Sequence, residues 1–374
     1  MTGMTARPYL AVDLEGAGRH PAAWRLADAR VSELFTAGYW ADLARSADAA
    51  GLDFVALSDS FVPPAADDKA VRGRLDAVAI AARVAPLTGS VGLVPTATVT
   101  HTEPFHLSKA IATLDFVSLG RAGWEPSVSR TQAEADLFGR KDAAPASTLW
   151  REAADAVEVV VRLWDSWEDD AVIRDRETGR YVDRDKLHYI DFSGEFFSVK
   201  GPSITPRSPQ AHPPVVVRAD EPEALPLVGR WAQVARVAAP DLAAAASARA
   251  RVREAVAAHG RDPDSVAVLL DVETLLAPSA DEAARTLDLL DGWTGHQAAT
   301  VRVVGTAATA ADLVTEAARA VDGITLVPLA LPSGMAAIAN ELVPLLGERR
   351  PGATLREKLG LPRPANYFAE EARA

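Results

Sequence analysis

Residues Thr96–Gly139 read TATVTHTEPFHLSKAIATLDFVSLGRAGWEPSVSRTQAEADLFG. The stretch opens on the polar end of an apolar run, Gly89–Thr98, which reads as a buried strand. Pro104–Leu119 reads as a helix with proline in its first turn, where a missing amide hydrogen costs nothing. Arg121–Ser129 reads as a second short strand that ends in polar residues. Two apolar strands joined through a helix form the repeating unit of a parallel sheet covered by helices. Histidines, hydroxyl residues and charges gather at the turns of this unit, so the strand ends are where chemistry is sought.

The same rhythm extends in both directions. Upstream, Tyr9–Leu14 is a short apolar strand, and Gly16–Arg25 follows as a long loop. Thr36–Ala50 carries apolar residues at helical spacing and stops at Gly51. Leu52–Asp59 is a buried-type strand, and Arg74–Val84 is a helix closed by Pro86. Downstream, Thr148–Trp167 is a long amphipathic helix. Residues 168–200 break the rhythm with a charged, glycine-punctuated excursion whose end, EFFSVKG, reads as an edge hairpin. Strands follow at Pro213–Ala219, Val234–Ala239, Val266–Ala277, Val301–Thr306 and Gly323–Leu331. Between and after them lie an Ala-rich helix at Leu242–Ala258, a helix opened by the Ser279/Glu282 capping-box pattern, one capped near Thr309, and Ala336–Leu346. Strand and helix alternate about eight times, which favours a closed (β/α)8 TIM-type barrel. The expected layout is one domain over residues 1–374, with the excursion inserted after the fourth β/α unit and a polar C-terminal tail at 348–374. An open doubly wound sheet is the alternative, weakened because no GxGxxG follows the first strand.

Composition narrows the function classes. Of 374 residues, 48% are hydrophobic and 24% charged, which suits a large core and not disorder. The chain has no cysteine, so disulfides, thiolate metal sites and cysteine nucleophiles are excluded. A formal charge of −12 disfavours nucleic acid or an anionic membrane as partner. The segment MTGMTARPYL lacks the pattern of a secretory signal, and no apolar run is long enough to span a bilayer. The expected location is the cytoplasm.

In a barrel of this kind the loops at the C-terminal strand ends build the site. That rule selects Asp59, Thr98–Glu103, Glu125–Arg130, Arg218–Glu221 and the segment from Pro328. Asp59 reads equally as a functional carboxylate or a turn cap. His101, Glu103 and His106 suggest a metal, but Pro104 separates the first pair from the helix and the spacing matches no helical zinc pattern, so none is expected. Trp164 and Trp167 lie three apart on a helix and read as core. No nucleophile-elbow motif supports a serine triad, and the catalytic residues are not legible.

Several longer segments carry a resemblance. GLDFVALSDS (51–60), TEPFHLSKAIATLDFVSLGRAGW (102–124), VVRLWDSWEDDA (160–171), LHYIDFSGEFFSVKGP (187–202) and TLREKLGLPRPAN (354–366) are similar to the bacterial luciferase-like monooxygenases. The likeness is greatest to the branch of the nitrilotriacetate and dibenzothiophene-sulfone monooxygenases. The resemblance implies a (β/α)8 barrel that takes reduced FMN from a separate flavin reductase and uses oxygen to oxygenate a small organic substrate. It also implies homo-oligomers.

Carried over residue by residue, the resemblance puts Asp59, Thr98 and Trp124 beside the flavin. Glu125 stands where the family has Asn, and Ala146 and Trp150 where it has His and Tyr. After the fifth strand, where the family's serines hold the FMN phosphate, this chain reads Arg218-Ala219-Asp220-Glu221-Pro222. The serines fall on Glu221 and Pro222, and proline has no amide hydrogen to give. A carboxylate about 4 Å from one phosphate charge would repel it by about 4 kcal/mol at an effective dielectric of about 20. Arg218 is the expected compensation, paired either with the phosphate or with Glu221. The stretch before Val301 is also shorter than the family's, as if a substrate-covering insertion were missing. Three functions follow as expectations: an FMN-dependent monooxygenase with an altered phosphate site, a flavin-free barrel serving as a binding or partner subunit, and a deazaflavin-dependent oxidoreductase.

Overall fold

The computed structural model describes residues 7–62, 71–348 and 350–371. Eight strands form a ring: β1 (Tyr9–Leu14), β2 (Phe54–Leu57), β3 (Gly92–Thr98), β4 (Glu125–Ser127), β5 (Val216–Arg218), β6 (Val234–Val237), β7 (Ala267–Leu276) and β8 (Gly323–Pro328). They pair in the order β4-β3-β2-β1-β8-β7-β6-β5, each neighbour parallel. The ring closes beside β4, where the Trp124 amide donates to Pro214 O (2.9 Å) and the Val216 amide donates to Trp124 O (2.8 Å). The (β/α)8 barrel is thus the observed fold. The principal covering helices are α1 (Ala37–Ala50), α2 (Ala77–Val84), α3 (Pro104–Val117), α4 (Gln132–Phe138), α5 (Ala146–Asp165), α6 (Leu225–Trp231), α7 (Leu242–Ala258), α8 (Ala280–Trp293) and α9 (Ala307–Ala317).

Alternation along each strand sorts the apolar residues into two cores. Leu10, Val12, Val55, Leu93, Val217, Ala235 and Leu270 face outward and join the large core under the helices. Ala11, Phe54, Ala56, Val94, Val216, Val234 and Leu269 face inward and form a separate cluster inside the ring. Leu355 and Leu359, from the short helix Leu355–Lys358 and its C-cap, belong to that inner cluster. The tail expected to be polar therefore plugs the barrel floor. Two glycines make room for it: a Cβ on Gly92 would lie 2.7 Å from Leu355 Cδ1, and one on Gly123 would lie 3.2 Å from its Cδ2.

Three other expectations change. Val301–Thr306 is not a barrel strand: Arg302–Gly305 lies outside the ring and pairs with Glu273–Leu276, because β7 runs ten residues and overshoots its neighbours. Helices α4 and α6 are additional to the sequence reading, although at α4 Thr131 and Glu134 form a full capping box and Gly139 closes it in the left-handed conformation. The segment read as a helix at Ala336–Leu346 is helical only from Ser333 to Ala337 and continues as π and 3-10 turns to Leu345, with Pro344 at the start of the last turn. The excursion forms two small hairpins, Val172–Asp175 with Arg180–Val182 and Phe192–Ser193 with Ser198–Val199. The second packs Phe192 and Ile190 on Val159 and Leu163 of α5.

Candidate active site

Above the inner apolar cluster the inward positions become charged. Asp13 follows Ala11 by two, Arg218 follows Val216, Arg236 follows Val234, and Asp271 follows Leu269. Arg236 is fully buried and binds three carboxylates: Asp13 at 2.5 Å, Glu125 at 2.9 Å and Asp271 at 2.9 Å. The fork of a guanidinium suits this use, since it offers five fixed donors. Thr96 Oγ1 donates to Glu125 (3.2 Å), and Ser58 Oγ donates to Asp13 (2.8 Å). Burial works to raise the Asp13 carboxyl, yet Arg236, Arg19 and Ser58 overcome it and hold it at about 2. Glu125, which stands where the resembling family has Asn, is bound into this network by Arg236 and Thr96.

Two cavities adjoin the β3–β4 ladder, one reached from β3 and the other from β4. The larger, about 720 Å³, is lined by Asp59, Thr98 and His101 at the strand ends and continues down between α2 and α3 past Val78, Ala82 and Thr113. Thr98 is 5% exposed and His101 7% exposed, and neither Thr98 Oγ1 nor His101 Nδ1 has a hydrogen-bond partner among the described residues. Buried polar atoms ordinarily find a partner, and these two are among several in the described residues that do not, Trp124 Nε1, Thr274 Oγ1 and Thr325 Oγ1 being others. The His101 ring stacks on Phe138 at 4.8 Å. Burial, assisted by Lys141, pushes the imidazole below its ordinary value, so it is neutral at pH 7. Asp59 also lines this cavity, but both of its oxygens are taken by backbone, from the Ser60 amide (2.8 Å) and from the Ala77 amide at the start of α2 (3.0 Å). Its role here is a cap, and burial raises its carboxyl.

The smaller cavity, about 260 Å³, is lined by Ser127, Arg130, Trp150, Arg218, Asp220 and Glu221 among others. Arg130 forms an ion pair with Glu221, and Trp150 Nε1 donates to the same carboxylate at 3.2 Å. Arg218 pairs with Asp220 and Asp271, each at 2.9 Å. The compensation expected from Arg218 toward Glu221 therefore comes from Arg130, whose role sequence reasoning missed. Trp124 is out of phase with both cavities: it is fully buried in the helical layer, edge-on to Trp164 at 6.3 Å. Arg236 was also missed; its signal is a charge at an inward position of an otherwise apolar strand, as in VARV (234–237). Among the described residues no group of three or more His, Asp or Glu side chains is placed to hold a metal ion.

A flavin fits this arrangement at one end only. The larger cavity offers a largely apolar wall to which the polar side chains of Thr98 and His101 contribute, as a planar heteroaromatic ring requires. The smaller one offers a phosphate no free cation among the described residues, since both guanidiniums are already matched to carboxylates.

Comparison with known proteins places the chain as a whole. A family model described as luciferase-like monooxygenase matches residues 17–341. The chain is 29% identical to N-acetyl-S-(2-succino)cysteine monooxygenase of Bacillus subtilis (strain 168), with 99% of this chain and 100% of that one aligned. It is 34% identical to nitrilotriacetate monooxygenase component A of Aminobacter aminovorans over 71% of this chain, a match that spans 61% of the relative. Among solved structures, long-chain alkane monooxygenase superposes with a TM-score of 0.88 at 22% identity, covering 98% of this chain and 100% of that one. Riboflavin lyase superposes with a TM-score of 0.87 at 24% identity, covering 96% and 97%. At these identities the two structures speak for the fold.

Proposed function

The chain belongs to the luciferase-like monooxygenase family of oxidoreductases, and on that premise we propose that it is a flavin-dependent monooxygenase acting on a small organic substrate. The reading is supported above all by the cavity of about 720 Å³ at the end of β3, with a largely apolar lining to which Thr98 and His101 contribute. When bound, a reduced flavin delivered by a separate reductase would supply the two electrons needed to place one atom of dioxygen in the substrate and release the other as water. The protein's own contribution is positioning and exclusion of water. Thr98 offers a hydroxyl from the end of β3, and His101 offers an imidazole whose two nitrogens divide donor and acceptor roles by tautomer. Leu107, Phe138 and Ala97 supply the apolar wall. Asp59 fixes the β2–α2 corner through the Ala77 amide.

The test is a titration with flavin, oxidised and dithionite-reduced, followed by fluorescence or absorbance. Binding with an affinity that Thr98→Val weakens about tenfold supports the reading, a loss in the range of a hydrogen bond in a buried site. Absence of binding by the wild-type protein refutes it. One observation favours a second reading, a flavin-free barrel that serves as a partner to another protein: the charged side chains of the smaller cavity are all paired internally. The same titration separates the two.

A further inference from the structure

Resting on the flavin-dependent reading, we propose that this barrel takes its flavin without the terminal phosphate, as riboflavin, whose ring is extended by a neutral polyol. The argument begins with the ladder between the two cavities. Thr98 of β3 is the register partner of Ser127 of β4; Thr98 lines the larger cavity and Ser127 the smaller. Paired strands lie only about 4.8 Å apart. A ligand whose ring rests against Thr98 and whose chain continues past Ser127 therefore reaches the second cavity.

What the chain would meet there is a site already holding an anion. The Glu221 carboxylate accepts from Arg130 and from Trp150 Nε1. Burial works to raise it, and these two donors overcome that and keep it ionised. The second guanidinium, Arg218, is held by Asp220 and Asp271. Asp220 is itself fixed, because its Oδ1 accepts the Ala238 amide at 2.7 Å. The turn that follows begins at Pro222, which has no amide hydrogen, and the Ala224 amide is taken by Glu221 O. A phosphate would have to displace Glu221 from Arg130 and Trp150 and leave a carboxylate unpaired beside a dianion. A hydroxyl group arriving in the same place carries no charge and hydrogen-bonds to either partner of the intact ion pair. The smaller cavity thus selects by charge, in favour of the neutral chain.

The experiment measures riboflavin and FMN binding in parallel, by fluorescence quenching, to the wild-type protein and to Glu221→Gln, Glu221→Ser and Glu221→Ser/Arg130→Ala. Circular dichroism establishes that each variant is folded, and two substitutions at Glu221 guard against one that is not. We expect the wild type to bind riboflavin at least as tightly as FMN. Both Glu221 substitutions tighten FMN by about tenfold or more and leave riboflavin within about twofold, and the added Arg130→Ala removes the gain. A wild-type preference for FMN of about tenfold overturns the proposal, as does an FMN affinity unmoved in both folded Glu221 variants. A wild type that binds neither flavin overturns the flavin-dependent reading on which the proposal stands.

Discussion

Arg236 concentrates more of this protein's electrostatics than any residue the sequence pattern would single out. Its side chain is wholly buried and holds Asp13, Glu125 and Asp271 together across the ring. Removing one partner of a buried charged group costs more than the group contributes, because the remaining charges stay desolvated. Arg236→Met is therefore expected to lower the unfolding free energy by about 3–5 kcal/mol, measured by urea denaturation at pH 7. A loss below about 1 kcal/mol would mean that the three carboxylates find other partners or water. At this scale the sequence is legible only in part. The apolar alternation of YLAVDL shows that Asp13 lies on the same face as Ala11, but nothing local says that its partner stands on β6. The same holds for Glu221: its charge is plain in the sequence, whereas the pairing with Arg130 spans ninety-one positions of chain and exists only once β4 and β5 meet. The deciding contacts at this site are long-range ion pairs, which no periodicity encodes.

Individual elements were more legible, because each strand here is a run of apolar residues and each helix carries its own stops. Where the reading departs from the structure, a tertiary partner decides. Arg302–Gly305 has the pattern of a barrel strand, and only the length of β7 gives it a partner outside the ring. The short helix Leu355–Lys358 looks like part of a polar tail, since Arg356, Glu357 and Lys358 are three of its four residues. Its inclusion in the inner cluster rests on Leu355 and Leu359 alone. Leu355 is 1% exposed, and its truncation to Ala should cost about 3 kcal/mol in chemical denaturation. Leu345→Ala, at a position 57% exposed, should stay within about 0.5 kcal/mol of wild type. Equal effects at the two sites would show that the plug does not stabilise the barrel.

For the molecule as a whole, the buried network sets how stability depends on pH. The Asp13 carboxyl sits at about 2 in the folded protein, below its reference value of 3.8. A depressed carboxyl stabilises fully above its unfolded value and loses that contribution as pH falls through the folded one. About 2 kcal/mol should accordingly be constant above pH 4 and disappear between pH 4 and pH 2. Urea midpoints measured across that range test this, and a wild-type profile that is flat there would exclude it. The (β/α)8 architecture was readable as a whole because strand and helix alternate in the sequence itself. The closure of the ring between Trp124 and Val215 was not, since it joins segments separated by α4, α5 and the excursion. The plug has one more consequence, which concerns the order in which the chain is made. Leu355 and Leu359 leave the ribosome after every strand they touch. Until they do, a nascent barrel has Phe54, Val94 and Leu269 around an unfilled floor, a surface that chaperones recognise. The final packing of the inner core therefore waits for the tail.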